Sequence, residues 1–252
     1  SKQGLSTNAT AGVNYNTDRI KGLPSTVSVS YKYSGKDAKE KTARTSFMSG
    51  SDDLHTNGFF DGTGDGHILS ASVEMKNANK EKFYFSFKPK FTFNTKQNSF
   101  TNASHTTMNA DTLNSSVSTK FNEGRSAGTS GQLDMGIMKL GGKEGRNLSL
   151  YAYYNFDNGD GVSGENSSTL LGDSTAVVSL LYDKKSSSSY LHSNISYVEP
   201  LGEKWVLQVG TRGSWSSSRS DNIATNGLDG TYNDYYTNIT DNESAVLSGG
   251  VT

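Results

Sequence analysis

No cysteine occurs among the 252 residues, so neither a disulfide scaffold nor a thiolate metal site is available. Proline is scarce, with three in the chain, and no helical periodicity lasts beyond a couple of turns. Both absences point to an all-β chain. No apolar run approaches the ~18 residues of a transmembrane helix. That excludes a helical span but not a β-barrel, whose spanning segments alternate and average out in hydropathy. Charge of one sign is lacking too: 24 Lys and Arg against 25 Asp and Glu give a net charge of −1, which leaves no electrostatic footprint for nucleic acid.

What is present is alternation. The segment 82–94, KFYFSFKPKFTFN, puts Phe83, Phe85, Phe87, Phe91 and Phe93 on odd positions and Ser86, Lys88, Lys90 and Thr92 on even ones. A β-strand sends successive side chains to opposite faces, so this ribbon has one aromatic face and one polar, basic face. Each Phe left in water forgoes about 1.5–3 kcal/mol of burial. Five of them must therefore lie against a second sheet or against lipid.

The same pattern recurs. Val27, Val29, Tyr31 and Tyr33 alternate with Ser28, Ser30 and Lys32; Leu69, Ala71, Val73 and Met75 with Ser70, Ser72 and Glu74; Leu148, Leu150, Ala152, Tyr154 and Phe156 with Ser149, Tyr151, Tyr153 and Asn155. Short turns near residues 20, 79, 143 and 201 join these segments in pairs. Between the pairs lie polar tracts rich in Ser, Thr, Asn, Gly and Asp (34–67, 95–130, 157 onward and 216–242), which read as four long loops, with 176–182 as a strand extension. Short turns at one end and long connections at the other are the organisation of an outer-membrane barrel, and ~11 tilted residues cover its ~25 Å apolar band. Within the strands, Lys32, Glu74, Lys88, Lys90, Asp134 and Arg212 all fall opposite the apolar side. A basic residue on a lipid face at mid-depth costs about 2–4 kcal/mol. Phe83, Tyr197 and Trp205 beside short turns, and Tyr33, Phe93, Phe156 and Trp215 at the opposite ends, read as two interfacial girdles. Pro89 cannot donate to a ladder, so a bulge or bend is expected in the Phe strand. A soluble β-sandwich alternates as well and is the alternative, as a surface adhesin.

The segments NYNTDRIKGLPSTVSVSYKY (14–33), KFYFSFKPKFTFN (82–94), GGKEGRNLSLYAYYNFDNGDG (141–161) and SYVEPLGEKWVLQVGTRGSWSSSRSD (196–221) resemble the barrel region of the TonB-dependent-receptor-like outer-membrane β-barrel family. The resemblance implies a barrel of about 22 strands in the outer membrane of a Gram-negative bacterium, in contact with outer-membrane lipid. It further implies a plug domain and a TonB-type energy-coupling protein, and import of a ligand. This chain is expected to supply one β-barrel region over 1–252, an antiparallel transmembrane segment of about eight strands plus part of a ninth of a larger barrel, with no plug domain. A structural or assembly barrel, serving as a platform for envelope partner proteins, is the second reading.

Motifs for chemistry are few. His55, His67, His105 and His192 show no ligand spacing, and neither a phosphate cradle nor a nucleophile elbow is present. No enzymatic activity and no cofactor are expected. Two acidic, Gly-rich stretches, 61–65 and 157–165, are candidate Ca²⁺ loops or ordinary turns. Tyr232, Tyr235 and Tyr236, in the fourth polar tract, are candidate ligand-contacting aromatics able to stack on a sugar or peptide, or else strand extensions.

Overall fold

The computed structural model describes residues 2–17, 25–47, 52–76, 83–108, 111–171 and 174–252. Nine antiparallel strands follow one another in a single sheet: β1 (Lys2–Thr17), β2 (Ser25–Phe47), β3 (Asp52–Lys76), β4 (Phe83–Met108), β5 (Asp111–Met138), β6 (Asn147–Leu171), β7 (Ser174–Pro200), β8 (Val206–Asn226) and β9 (Asn238–Val251). Each strand pairs with its neighbours in chain order, and β1 does not meet β9, so the sheet is open. No helix is long and apolar enough to cross a membrane, a fact that says nothing of strands.

Register turns the alternation of each strand into a property of the whole sheet. Val27 faces Val73, Val73 faces Phe87, Phe87 faces Leu133, and Leu133 faces Ala152. Two residues away, Met75, Phe85, Met135, Leu150 and Ile195 form the next row on that side. The other side carries Glu74, Ser86, Asp134, Tyr151, Asn194 and Arg212 in one row. Here Lys88 reaches Glu74 at 3.2 Å, and the hydroxyls of Ser28 and Ser72 share a hydrogen bond at 2.5 Å. A slip of one residue anywhere would carry these charges to the apolar face. Glycines opposite aromatics complete both faces: the Tyr154 ring covers Gly131 and the Tyr84 ring covers Gly136, and in both places a Cβ would lie within 3 Å of the ring.

The expected girdles are in register only in part: Phe156 falls in the row of Tyr31 and Phe91, and Trp215 falls a row further in, with Tyr154 and Leu191. Phe83, Ile137, Leu148, Tyr197 and Val209 form the row nearest the short turns, with Trp205 just outside β8 and 75% exposed. At the other edge lie Tyr31 and Phe91, then Tyr33, His67 and Phe93, whose rings approach His67 at 5.2–6.1 Å. The described residues make one layer with no second sheet, and Leu180 and Ala224 are its buried apolar side chains. A sandwich needs a second sheet over the apolar face, and the described residues provide none.

Two expectations are corrected. Where they are described, the long polar tracts are strand rather than loop, except for 227–237 in the fourth, which connects β8 to β9. Elsewhere they are the distal halves of strands of 21 to 28 residues, paired out to Phe47–Asp53, Met108–Asp111 and Leu171–Ser174. Polar side chains on both faces hide the period-2 signal there, while the backbone ladder continues regardless. At roughly 3.3 Å per residue, β4 with its 26 residues runs to about 85 Å, several times the apolar band. The second correction concerns Pro89, where the expected bulge does not form. Pairing of β3 with β4 lapses between Ser70–Lys90 and Val73–Phe87, and the register is the same on both sides of the gap. Lacking an N–H, the proline interrupts the ladder without displacing it.

Of the four short connections, residues 18–24 and 77–82 lie outside the described residues. The other two are tied together. The 139–146 turn places Gly141, Gly142 and Gly145 at φ of +66°, +82° and +78°, a region that costs glycine little. It brings Arg146 to Glu199 as a fork, Nε to Oε2 at 2.6 Å and a terminal nitrogen to Oε1 at 2.9 Å. Lys143 donates to the same carboxylate at 2.6 Å, and the Tyr197 hydroxyl donates to Oε2 at 2.5 Å. These donors hold the Glu199 carboxyl far below its ordinary range, with the Arg146 hydrogen bonds the largest cause.

Replacing Phe87 with Lys puts a charge on the apolar face and should cost about 2–4 kcal/mol, read as loss of assembled protein, while Lys88→Phe on the other face should cost less. Equal losses would undo the assignment of faces. For Glu199 the depressed value sets the sign. Its contribution is complete above the ordinary carboxyl pKa near 4.5 and erodes as pH falls from there toward the folded value. The gap in thermal midpoint between wild type and Glu199→Gln should therefore be constant from pH 7 to about 5 and shrink in stronger acid; a gap that widened on acidification would contradict it.

Candidate functional site

Beyond the aromatic edge both faces become polar, and they differ. On the side continuous with the apolar band, the first row past the rings alternates in sign: Asp65, Arg125, Asp160, Lys185 and Asp221 lie in register with Thr95 among them. Arg125 donates to both oxygens of Asp160, at 2.9 and 3.0 Å, and the Tyr33 hydroxyl donates to Asp65 at 2.7 Å. These are exposed pairs of modest individual worth, and they mark where the apolar face ends.

On the opposite side, three successive rows carry no carboxylate. One runs Ser34, Gly66, Asn94, Ser126, Gly159, Ser186, Ser220; the next Lys36, Gly64, Lys96, Gly124, Gly161, Lys184, Asn222; the third Ala38, Gly62, Asn98, Asn122, Ser163, Tyr182, Ala224. Small residues dominate, and the backbone comes close to the surface. A Cβ at Gly161 would sit 2.4 Å from the Glu123 carbonyl oxygen and 3.0 Å from the Gly124 Cα, so that crossing admits only glycine. The nearest acids on this side are Glu40, Glu165 and Asp157; Glu165 pairs with Lys120 at 2.8 Å, and Asp157 accepts from the Asn155 amide.

The β8–β9 connection carries the three candidate tyrosines and closes over the same side. The Asn233 N–H donates to the Ala224 carbonyl at 2.9 Å, and the Ala224 N–H donates to Thr237 Oγ1 at 3.0 Å. Asn233 caps the single 3-10 turn Asp234–Tyr236 by accepting from the Tyr236 N–H, and its amide donates to Asn226 at 2.7 Å. Ala224 is left fully buried. Asp229 accepts from both the N–H and the hydroxyl of Thr231, which lowers its pKa.

The tyrosines do not extend the strand ladders. Tyr232 makes one isolated bridge to Thr225, and Tyr235 and Tyr236 form an edge-to-face pair at 4.9 Å. Tyr235 is 87% exposed and Tyr236 44%. Burial first, then the charge of Glu165, pushes the Tyr182 hydroxyl up. Lys184 stands 5.8 Å from the centre of the Tyr182 ring. The three candidate tyrosines thus lie on the β8–β9 connection, which is tied to Ala224 at the end of the carboxylate-free rows. Sequence patterning does not single out Lys36, Lys96 and Lys184, because their tracts read as loops. Their shared row exists only once strand register is known.

The acidic Gly-rich stretches are strand, not turn. Asp61 faces Lys39 at 3.6 Å, and alternation sends Asp160 to one face and Asp157 and Glu165 to the other, so neither stretch folds into a Ca²⁺ loop. Among the described residues no three His, Asp or Glu side chains converge as a metal site would require. His67 accepts or donates at 2.7 Å with the Tyr31 hydroxyl, His55 meets Thr45 at 3.1 Å, and His192 lies 6.1 Å from the Tyr151 ring; the His105 side chain lies outside the described atoms.

No family model and no curated relative matches the chain. Among solved structures it is similar, at a low level, to the ferric yersiniabactin uptake receptor FyuA from Yersinia pestis, with a TM-score of 0.30 and 8% identity over 100% of this chain and 44% of that one. The siderophore receptor PiuA from Acinetobacter baumannii gives a TM-score of 0.30 and 12% identity over 99% and 46%. A BenF-like porin from Pseudomonas fluorescens Pf-5 gives 0.14 and 6% over 100% and 99%. The chain spans less than half the length of the two receptors.

Removing the Asn233 cap with Asn233→Ala should cost about 1 kcal/mol locally and speed proteolytic cleavage within 227–237, with assembly unchanged. Cleavage at the wild-type rate would mean that the capping network does not hold this connection.

Proposed function

We propose that the chain is part of an outer-membrane β-barrel of TonB-dependent-receptor type, which moves a ligand across the outer membrane of a Gram-negative cell rather than transforming it. One observation carries this reading: a single-layer sheet in which the apolar side chains of the central zone share one face while its charged side chains, Lys32, Glu74, Lys88, Lys90, Asp134 and Arg212, all lie on the other. An uncovered face bearing Phe85, Phe87, Phe91, Leu133, Leu150 and Ile195 is unstable in water and suited to hydrocarbon. Lipid is then the partner of that face. A plug domain and an inner-membrane energy-coupling protein are the partners that uptake requires, and the polar side faces the lumen.

A barrel acting as an assembly platform is the second reading. It is favoured by Phe59, Val117, Val162 and Leu181, which are exposed on the outward side beyond the charged row, away from the lipid zone. Such residues suit contact with another envelope protein.

Membrane fractionation of cells followed by electrophoresis of heated and unheated samples tests the barrel. Recovery in the outer-membrane fraction with heat-dependent migration is expected; a protein soluble without detergent would refute it. Stable co-purification with envelope proteins, with growth on every nutrient unaffected by deletion, would transfer the assignment from uptake to platform.

A further inference from the structure

We infer that the carboxylate-free surface on the lumen side is a recognition site for an acidic oligosaccharide, a sugar chain bearing carboxylates. The inference rests on the barrel reading, which makes this side the lumen, and adds a ligand class to it.

Charge is the first ground. Lys36, Lys96 and Lys184 share one cross-strand row on β2, β4 and β7. At about 4.8 Å between strands, they are spaced roughly 10 and 14 Å apart, a line of some 24 Å across the sheet. Among the described residues none of the three has an ion-pair partner. Their chain neighbours Asp37, Asp183 and Lys185 point to the other face by alternation, where Asp183 lies 4.0 Å from Lys185 and Asp160 pairs with Arg125. A small inorganic ion would meet one lysine at a time; a chain with repeated charges meets all three.

The floor is the second ground. Between the lysines the row holds Gly64, Gly124 and Gly161, so a ligand can approach the backbone closely there. Concavities of about 560 and 630 Å³ meet at Lys96, and the larger reaches Lys184. The flanking rows offer Asn94, Asn98, Asn122, Ser126 and Ser186, neutral donors and acceptors matched to sugar hydroxyls rather than to an apolar or purely ionic ligand. At one end the Tyr182 ring, with the Lys184 ammonium 5.8 Å from its centre, supplies a face on which a pyranose can stack.

The test uses the intact polypeptide extracted from outer membranes in detergent. Titration calorimetry compares an oligogalacturonate, a neutral dextran oligosaccharide and inorganic polyphosphate. Oligogalacturonate is expected to bind, to weaken as salt is raised, and to lose roughly tenfold or more in the triple variant Lys36→Gln/Lys96→Gln/Lys184→Gln. Lys185→Gln, one residue along on the other face, should leave affinity unchanged. Tyr182→Ala should weaken the sugar chain and leave polyphosphate as it was.

Oligogalacturonate binding that the triple variant does not weaken would overturn the inference. So would a polyphosphate affinity exceeding that for the sugar chain, which would mark a general anion surface. Heat-dependent migration of the same preparation separates the two failures. A protein that migrates as a barrel yet binds no oligogalacturonate removes the ligand assignment alone, and one that never behaves as a barrel removes the lumen itself.

Discussion

Everything in this sheet depends on register being conserved from strand to strand. Alternation within one strand sorts side chains to two faces, but it makes no apolar surface unless neighbouring strands agree on which face is which. Phe87 facing Val73 on one side and Leu133 on the other is such an agreement, and Ser86 between Glu74 and Asp134 is its complement. Nine strands in that state build a wall with a dry side and a wet side. The girdles, the charged row beyond them and the lysine row on the opposite side are all consequences of the same pairing.

The single layer gives this constraint its force. In a sandwich, the facing sheet covers the apolar side. Here Leu180 and Ala224 are the buried apolar residues, and Ala224 is covered by the β8–β9 connection rather than by a core. Stability must come from the ladder and from the medium against the apolar face. The Arg146–Glu199 fork, with Lys143 and Tyr197, closes two adjacent turns at the end where the ladder stops.

Where one face of the sheet is apolar, the contrast between odd and even positions lets the strands be read directly: Phe83 to Phe93, Leu148 to Phe156, Leu69 to Met75. The aromatic edges and the facing of Lys88 and Arg212 followed from the same contrast. Past Tyr33 and Phe93 both faces are polar, the contrast vanishes, and Gly and Asp look like breakers. Asp61–Asp65 and Asp157–Glu165 were therefore assigned to turns, although each lies inside a long strand. Pro89 misled differently, because loss of one donor suggested a bulge where the ladder merely skips. By composition the tyrosines at 232, 235 and 236 can be singled out as candidates. The lysines at 36, 96 and 184 could not be, since residues so far apart become neighbours only through five successive pairings.

The extension of β2 through β8 far past the apolar zone alters what capture of a ligand would involve. A surface carried on irregular connections must be ordered when something lands on it, at about 1–2 kcal/mol for each backbone residue fixed. The lysine row sits instead on a ladder already paired on both sides, so its charges are held at fixed separations before any encounter. Preorganisation of that kind lets weak, exposed contacts add with little entropic loss, and selects partners by the spacing of their groups rather than by the strength of any single one.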